Sequence, residues 1–241
     1  MVLALVVGCA GPAREHVAPT PVRSTPPASS PSPAHPASPA PKAVVTRSPT
    51  PVPLAAGYSA RAVTAADLPH SWHTGCPVGP SQLRLLTVPY VGWDGVARHG
   101  RLVVRATVTA VVGRTFVRLY RERFPIRSIR LVDDFGGDDD RSMAADNTSG
   151  FNCRAAVGGN GSWSQHAFGL AVDINPRENP YLYGGKVTPP EGRPYVARSP
   201  VRKGMIVPGG PVLRAFGAIG WGWGGSWKAS KDYQHFSSNG R

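Results

Sequence analysis

The chain has 241 residues, 41% of them hydrophobic, and a formal net charge of +13. Such a charge suits an anionic surface, a cell-wall polymer or lipid headgroups. It does not mark a nucleic-acid binder here: the 27 Lys and Arg are scattered and no recognised nucleic-acid module is present.

The first nine residues, Met1 to Cys9, are apolar and end in Val6-Val7-Gly8-Cys9. This resembles a bacterial lipobox, in which the cysteine is lipidated. The run is too short to span a bilayer and lacks a basic leading region. We read residues 1–9 as a truncated lipoprotein signal with its start upstream and Cys9 as the lipidation candidate. A disordered apolar N-terminus is the alternative. Residues 10–56 form a Pro/Ala/Ser-rich spacer, holding 13 of the 26 prolines and none of the Trp or Phe. It lacks the large apolar side chains that would offset its ordering entropy and is expected to be extended. Residues 57–241 are left as one domain, large enough to bury a single core.

Within that domain, Leu83 to Val91 reads as a strand, Gly92 to Gly95 as a turn and Arg101 to Ala106 as a second strand. Apolar spacing then turns helical through Val108, Val112, Phe116 and Leu119, with Thr107 as N-cap and Phe124-Pro125 as stop. Ile126 to Asp133 alternates as a strand, and the polar stretch Gly136 to Thr148 reads as a loop. Phe151 to Val157 is a predicted strand, followed by a turn from Gly158 to Gly161. In the predicted strand Gly169 to Asn175, Leu170, Val172 and Ile174 face one way, Ala171 and Asp173 the other. Asn175 to Gly210 reads as a long loop, Pro211 opens a short helix stopped by Gly220, and Phe236 lies in the last strand. Strands and helices mix without regular alternation. The class is α+β, a small central antiparallel sheet flanked by helices.

The chemistry concentrates in Ser164 to Ile174 and Asp232 to His235. These supply two imidazoles, one carboxylate ligand and one spare carboxylate. A catalytic zinc site needs three protein ligands, an open position and a base beside it. His166, Asp173 and His235 are the candidate ligands of one zinc ion, His166 on a turn and Asp173 projecting from a strand. Asp232, three residues before His235, is the candidate base; a supporting role behind the metal is the alternative. The other two cysteines, Cys76 and Cys153, are candidates for a disulfide in an exported protein.

The pattern Ser164-x-His166-x-x-Gly169-x-Ala171-x-Asp173 with distal Asp232-x-x-His235 resembles the VanY-like zinc D-alanyl-D-alanine carboxypeptidases and the related L-alanyl-D-glutamate peptidases. Further matching segments run from residue 70 to 237, among them Phe151-Asn152-Cys153-Arg154, Asp173-Ile174-Asn175-Pro176 and Trp221-x-Trp223. The resemblance implies the hedgehog-type zinc peptidase fold, zinc held by His166, Asp173 and His235, and Asp232 as general base. It implies that Arg154 holds substrate or steadies the oxyanion, which agrees with the need for a fixed positive donor there. A surface ion pair is the plainer alternative for Arg154. Ser164 is expected to shape the ligand loop and contribute to substrate binding, not to act as a nucleophile. Trp223 and Trp227 either line the cleft or pack the core. The implied substrate is a peptidoglycan stem peptide, cut by a carboxypeptidase or an endopeptidase; a lipoprotein that binds wall peptides without cutting them is the rival. The expected setting is the outer face of the bacterial cytoplasmic membrane or the wall, as a monomer anchored through Cys9.

Overall fold

The computed structural model describes residues 57–158 and 161–241. The signal reading of 1–9, the spacer of 10–56 and the lipidation candidate Cys9 lie outside the described residues. No helix among those described is long and apolar enough to cross a membrane.

The α+β class holds, with the antiparallel strands divided among three small sheets. The first sheet is β1 (Ser59–Ala62), β2 (Leu83–Val91) and β3 (Ala97–Arg105) in that order. β2 and β3 form a nine-pair ladder from Leu83↔Arg105 to Val91↔Ala97. The second strand starts four residues before the apolar signal does, because Arg98 and His99 pair in the ladder while their side chains reach solvent. The hairpin is buried on both faces. Leu86, Val88, Leu102 and Val104 enter the main core, whereas Leu83, Leu85 and Val103 enter a smaller cluster with Val63, Leu68 and Phe151.

Helix α1 (Thr109–Arg121) lays Val112, Phe116 and Leu119 into the main core. Its start differs from expectation. A 3-10 turn over Ala106–Val108 precedes it, so Thr107 lies inside that turn and Val108 occupies the cap position. The Ile126–Asp133 strand shrinks to β4 (Ser128–Ile129), because Asp133 leaves the strand direction to accept from the His70 and Ser71 N–H groups, both at 2.9 Å. The polar Gly136–Thr148 stretch is not all loop. It contains helix α2 (Asp139–Ala144), capped by the Asp138 carboxylate accepting from Arg141 N at 3.0 Å, and β5 (Asn147–Thr148), which pairs parallel with β4. Phe151 to Val157 has no strand beyond a single bridge at Ala155. Its backbone is bonded outward instead, Phe151 N to Val103 O and Cys153 N to Ser71 O. Cys153 is joined to Cys76 in a disulfide with a Cα separation of 5.9 Å.

The site half follows. β6 (Ala171–Asp173), β11 (His235–Ser237) and β9 (Gly222–Trp223) form one sheet in that order. The long 175–210 loop contains a hairpin, β7 (Tyr181–Tyr183) and β8 (Lys186–Thr188), which β10 (Lys231–Asp232) extends on the β7 side. Gly184 and Gly185 close that hairpin at φ +56° and +76°, the left-handed pair of a two-residue turn. Helix α3 (Pro211–Gly217) starts on its proline as expected. Its Phe216 stacks on Phe236 at 4.5 Å between ring centroids and meets Phe116 edge-on at 6.4 Å, tying β11 to α1.

Candidate metal centre

Cross-strand register places two of the three ligand candidates. Val172 pairs with Phe236 and Asp173 with His235. Side chains alternate along each strand, so Val172 and Phe236 enter the core while Asp173 and His235 face the opposite side together. His166 comes from the 3-10 turn Gln165–Phe168, capped by Ser164, whose hydroxyl accepts from His166 N at 3.3 Å. Gly169 ends that turn at φ +66°. Its carbonyl accepts from Arg105 N at 2.8 Å, and a β-carbon there would lie 2.6 Å from the same nitrogen. Only glycine lets the turn dock on β3 this closely.

All three groups are buried. Asp173 lies 3.1 Å from His166 Nε2 and 3.0 Å from His235 Nδ1, and the two nitrogens are 3.2 Å apart. The other ring nitrogens settle the tautomers. His166 Nδ1 faces Gly150 O at 2.6 Å and His235 Nε2 faces Arg241 O at 3.1 Å. A main-chain oxygen only accepts, so each of these nitrogens donates, and the inward nitrogens of the neutral rings are lone-pair acceptors. Two imidazole lone pairs and a carboxylate therefore converge with no donor between them. Buried acceptors in that arrangement call for a cation. Without one, only a proton relieves them: burial opposes charge on His166, yet the Asp173 carboxylate prevails and raises its pKa. Asp173, despite the same burial, is held below the usual carboxylate range by the two imidazoles. The set of two nitrogens and one oxygen fits zinc with an open position.

Asp232 enters from β10. Its Oδ1 is buried and finds no hydrogen-bond partner among the described residues. Burial, then the Asp173 charge, push its pKa up to about 7 against the pull of His235 and Arg154. Gly224 backs this corner. A β-carbon there would meet the Asp232 backbone oxygen at 2.7 Å and His235 Cβ at 3.3 Å. Arg154 lines the same cleft, its Nη2 2.8 Å from an Asp139 carboxylate oxygen and its buried Nε without a partner. Burial opposes its charge, but Asp139, Asp173 and Asp232 outweigh that and raise its pKa. The cleft has a volume of about 560 Å³, and Trp163, Tyr181, Thr188 and Trp227 also line it.

The structure thus brings His166, Asp173, His235, Asp232, Arg154 and Ser164 to one cleft. Trp223 is the exception. Its side chain sits in the main core and its indole N–H donates to Tyr233 O at 2.9 Å, because β9 pairs Trp223 with the inward-facing Phe236. Trp227 reaches the cleft instead. Sequence reasoning passed over Asp139, whose signal was the Asp138 cap followed by acidic residues in a first helical turn. It also passed over Tyr181, placed by the Gly-Gly hairpin.

Comparison with known proteins falls on this half of the domain. Residues 158–238 match the D-alanyl-D-alanine carboxypeptidase family. The matched segment holds all three ligand candidates, Ser164 and Asp232, so the sequence resemblance and the family match meet at the centre itself. Arg154 and Asp139 precede it, and their assignment to the cleft rests on geometry. No curated protein and no solved structure matches the chain.

Proposed function

We propose that this chain is a zinc-dependent peptidase that hydrolyses peptidoglycan stem peptides, acting as a D-alanyl-D-alanine carboxypeptidase. The observation that carries the reading is the convergence of three buried acceptor groups beside Asp232, whose Oδ1 is buried and has no partner among the described residues. A structural zinc site would close with a fourth protein ligand; here the fourth group is Asp232, whose Oδ1 has no partner among the described residues and is free to carry a proton. A bound zinc ion would supply Lewis acidity, polarising the scissile carbonyl and acidifying the attacking water.

The chain's own residues then divide the work. Asp232 takes the proton of the water and returns it to the departing amine. Arg154, kept charged and held by Asp139, meets the negative charge that develops on the carbonyl oxygen. The main-chain oxygens of Gly150 and Arg241 fix the two imidazoles, so their inward lone pairs stay available.

Export fits the same reading. A disulfide persists in an oxidising compartment, and Cys76–Cys153 closes a 77-residue separation. We place the protein outside the cytoplasmic membrane, tethered through Cys9 and working as a monomer.

Mass spectrometry of purified muropeptides, incubated with the protein with and without a chelator, tests the function. We expect loss of a terminal D-alanine that stops with chelator and returns with zinc. An internal cut with the same metal dependence would make the enzyme an L-alanyl-D-glutamate type endopeptidase. Absence of any cleavage by folded, zinc-loaded protein would leave a wall-peptide-binding lipoprotein.

A further inference from the structure

A second cavity of about 610 Å³ adjoins the metal cleft, sharing Asp140 and Thr188 with it. One wall is α2, with Asp140, Arg141 and Ala144; the other is β8, with Lys186 and Val187. Arg193 and Glu191, from the turn after β8, complete its charged lining. Nothing in the chemistry at the metal centre uses this cavity.

Two features say what it would take. The first is charge. Arg141, Lys186 and Arg193 outnumber Asp140 and Glu191, and none of the five makes an ion pair among the described residues. The second is backbone. β8 is the terminal strand of its sheet, paired only with β7. The two-residue turn makes Tyr183↔Lys186 a hydrogen-bonded pair, so the next pair, Leu182↔Val187, is not bonded. The N–H and C=O of Val187 therefore point away from β7, on the edge where an extended chain adds to a sheet.

We infer that this groove binds the part of the substrate upstream of the scissile bond, as an extended peptide that lies along β8 and carries a free carboxylate recognised by Arg141, Lys186 and Arg193. The inference rests on the peptidase reading and adds to it the place and the side chains that would hold the substrate's upstream segment. A chain entering the metal cleft at Thr188 continues past Val187 to Lys186. Val187 supplies backbone bonds, which are indifferent to side chain. The three cations supply the selectivity for a carboxylate, and Pro189 and Pro190 shield it with apolar surface.

The test compares two acylated peptides ending in D-alanyl-D-alanine. One has a glutamyl residue with a free carboxylate upstream of the terminal pair; the other has the carboxamide in its place. Binding is measured by calorimetry on the full chain with zinc added, carrying Asp232→Asn so that turnover does not intervene. The acid should bind about tenfold more tightly than the amide, the sum of two or three partly exposed charge contacts. Lys186→Glu and Arg193→Glu, both on exposed side chains, should each erase most of that preference while leaving amide binding unchanged. Equal binding of acid and amide, a preference that survives both variants, or no binding of either peptide would overturn the inference. Hydrolysis of a short D-alanyl-D-alanine peptide by the unaltered protein is followed in parallel. Its absence counts against the peptidase reading, while the acid-to-amide ratio still reports on the groove.

Discussion

The α1 side of the domain and the metal side bury comparable surroundings for opposite ends. Around α1, β2 and β3 the enclosed side chains are Leu, Val, Ile and Phe, each contributing to stability by leaving water. Around β6, β10 and β11 the enclosed groups are His166, Asp173, His235 and the Oδ1 of Asp232, each of which costs stability when buried unless something neutralises it. The two regions share strands: Val172 and Phe236 face one way, Asp173 and His235 the other. The difference teaches that the apolar side holds the fold and the polar side is carried by it. Substitutions on the two sides should therefore separate stability from activity.

The largest separation is expected at the three ligand candidates. His166→Ala should reduce hydrolysis to the level of chelated protein and abolish zinc retention, measured by metal analysis after gel filtration. Zinc at a thousandfold excess over its dissociation constant should raise stability by about 4 kcal/mol in the unaltered protein and by far less in the variant. Next comes Asp232→Asn, which keeps the shape but carries no proton. We expect turnover to fall by about 10² to 10⁴-fold with zinc content unchanged. Full activity in this variant would sink the base assignment.

On the apolar side, Phe216→Ala removes the ring that touches both Phe116 and Phe236. The cost should be about 3–5 kcal/mol in denaturant unfolding, with turnover per folded molecule nearly intact at low temperature. An equal loss of turnover would mean that the metal side depends on this packing more closely than the alternation of β11 implies.

How much of this was legible beforehand follows the same division. The helical spacing of Val112, Phe116 and Leu119 and the run Leu83–Val91 announced the apolar side, since packing of one face imposes a period on the sequence. The three ligand candidates stood out because two histidines and an aspartate with a spare carboxylate nearby are a rare set, His166 and Asp173 within one short segment and His235 three residues after Asp232. What escaped was whatever has no period. α2 is six residues opened by an Asp cap within a polar stretch, and β4, β5 and β9 have two residues each. The apparent strand at Phe151–Val157 failed because its backbone bonds go to separate partners, not to one neighbouring strand. Trp223 could not be assigned from composition either, because which way a two-residue strand points depends on its register with Phe236.

The pH dependence of the metal-free protein sharpens the contrast. Asp232 in the fold titrates at about 7, above its ordinary value of 3.8. The folded state then holds a proton that the unfolded chain releases, so this group's contribution to stability falls as pH rises from about 4 to about 7. Asp232→Asn removes that fall. In metal-free protein its advantage over the unaltered chain should grow across this window, to roughly 4 kcal/mol at most, about three pH units of displaced titration. Added zinc should shrink the advantage, because a nearby dication favours the carboxylate. A stability gap that is flat with pH would show that Asp232 is solvated in the absence of metal.

The smallest effect should come from the exposed charges that belong to neither side. Glu122 lies 2.8 Å from Arg118 and 3.0 Å from Arg214, linking α1 to α3 on the surface. Salt and water screen such pairs, and ordering the side chains offsets much of the attraction. Glu122→Ala should therefore cost under about 1 kcal/mol, less still at high salt, and leave both zinc content and hydrolysis unchanged. A larger loss, insensitive to salt, would mean that the α1–α3 contact is braced from outside and not by Phe116 and Phe216 alone. The apolar side would then depend on charge as the metal side does.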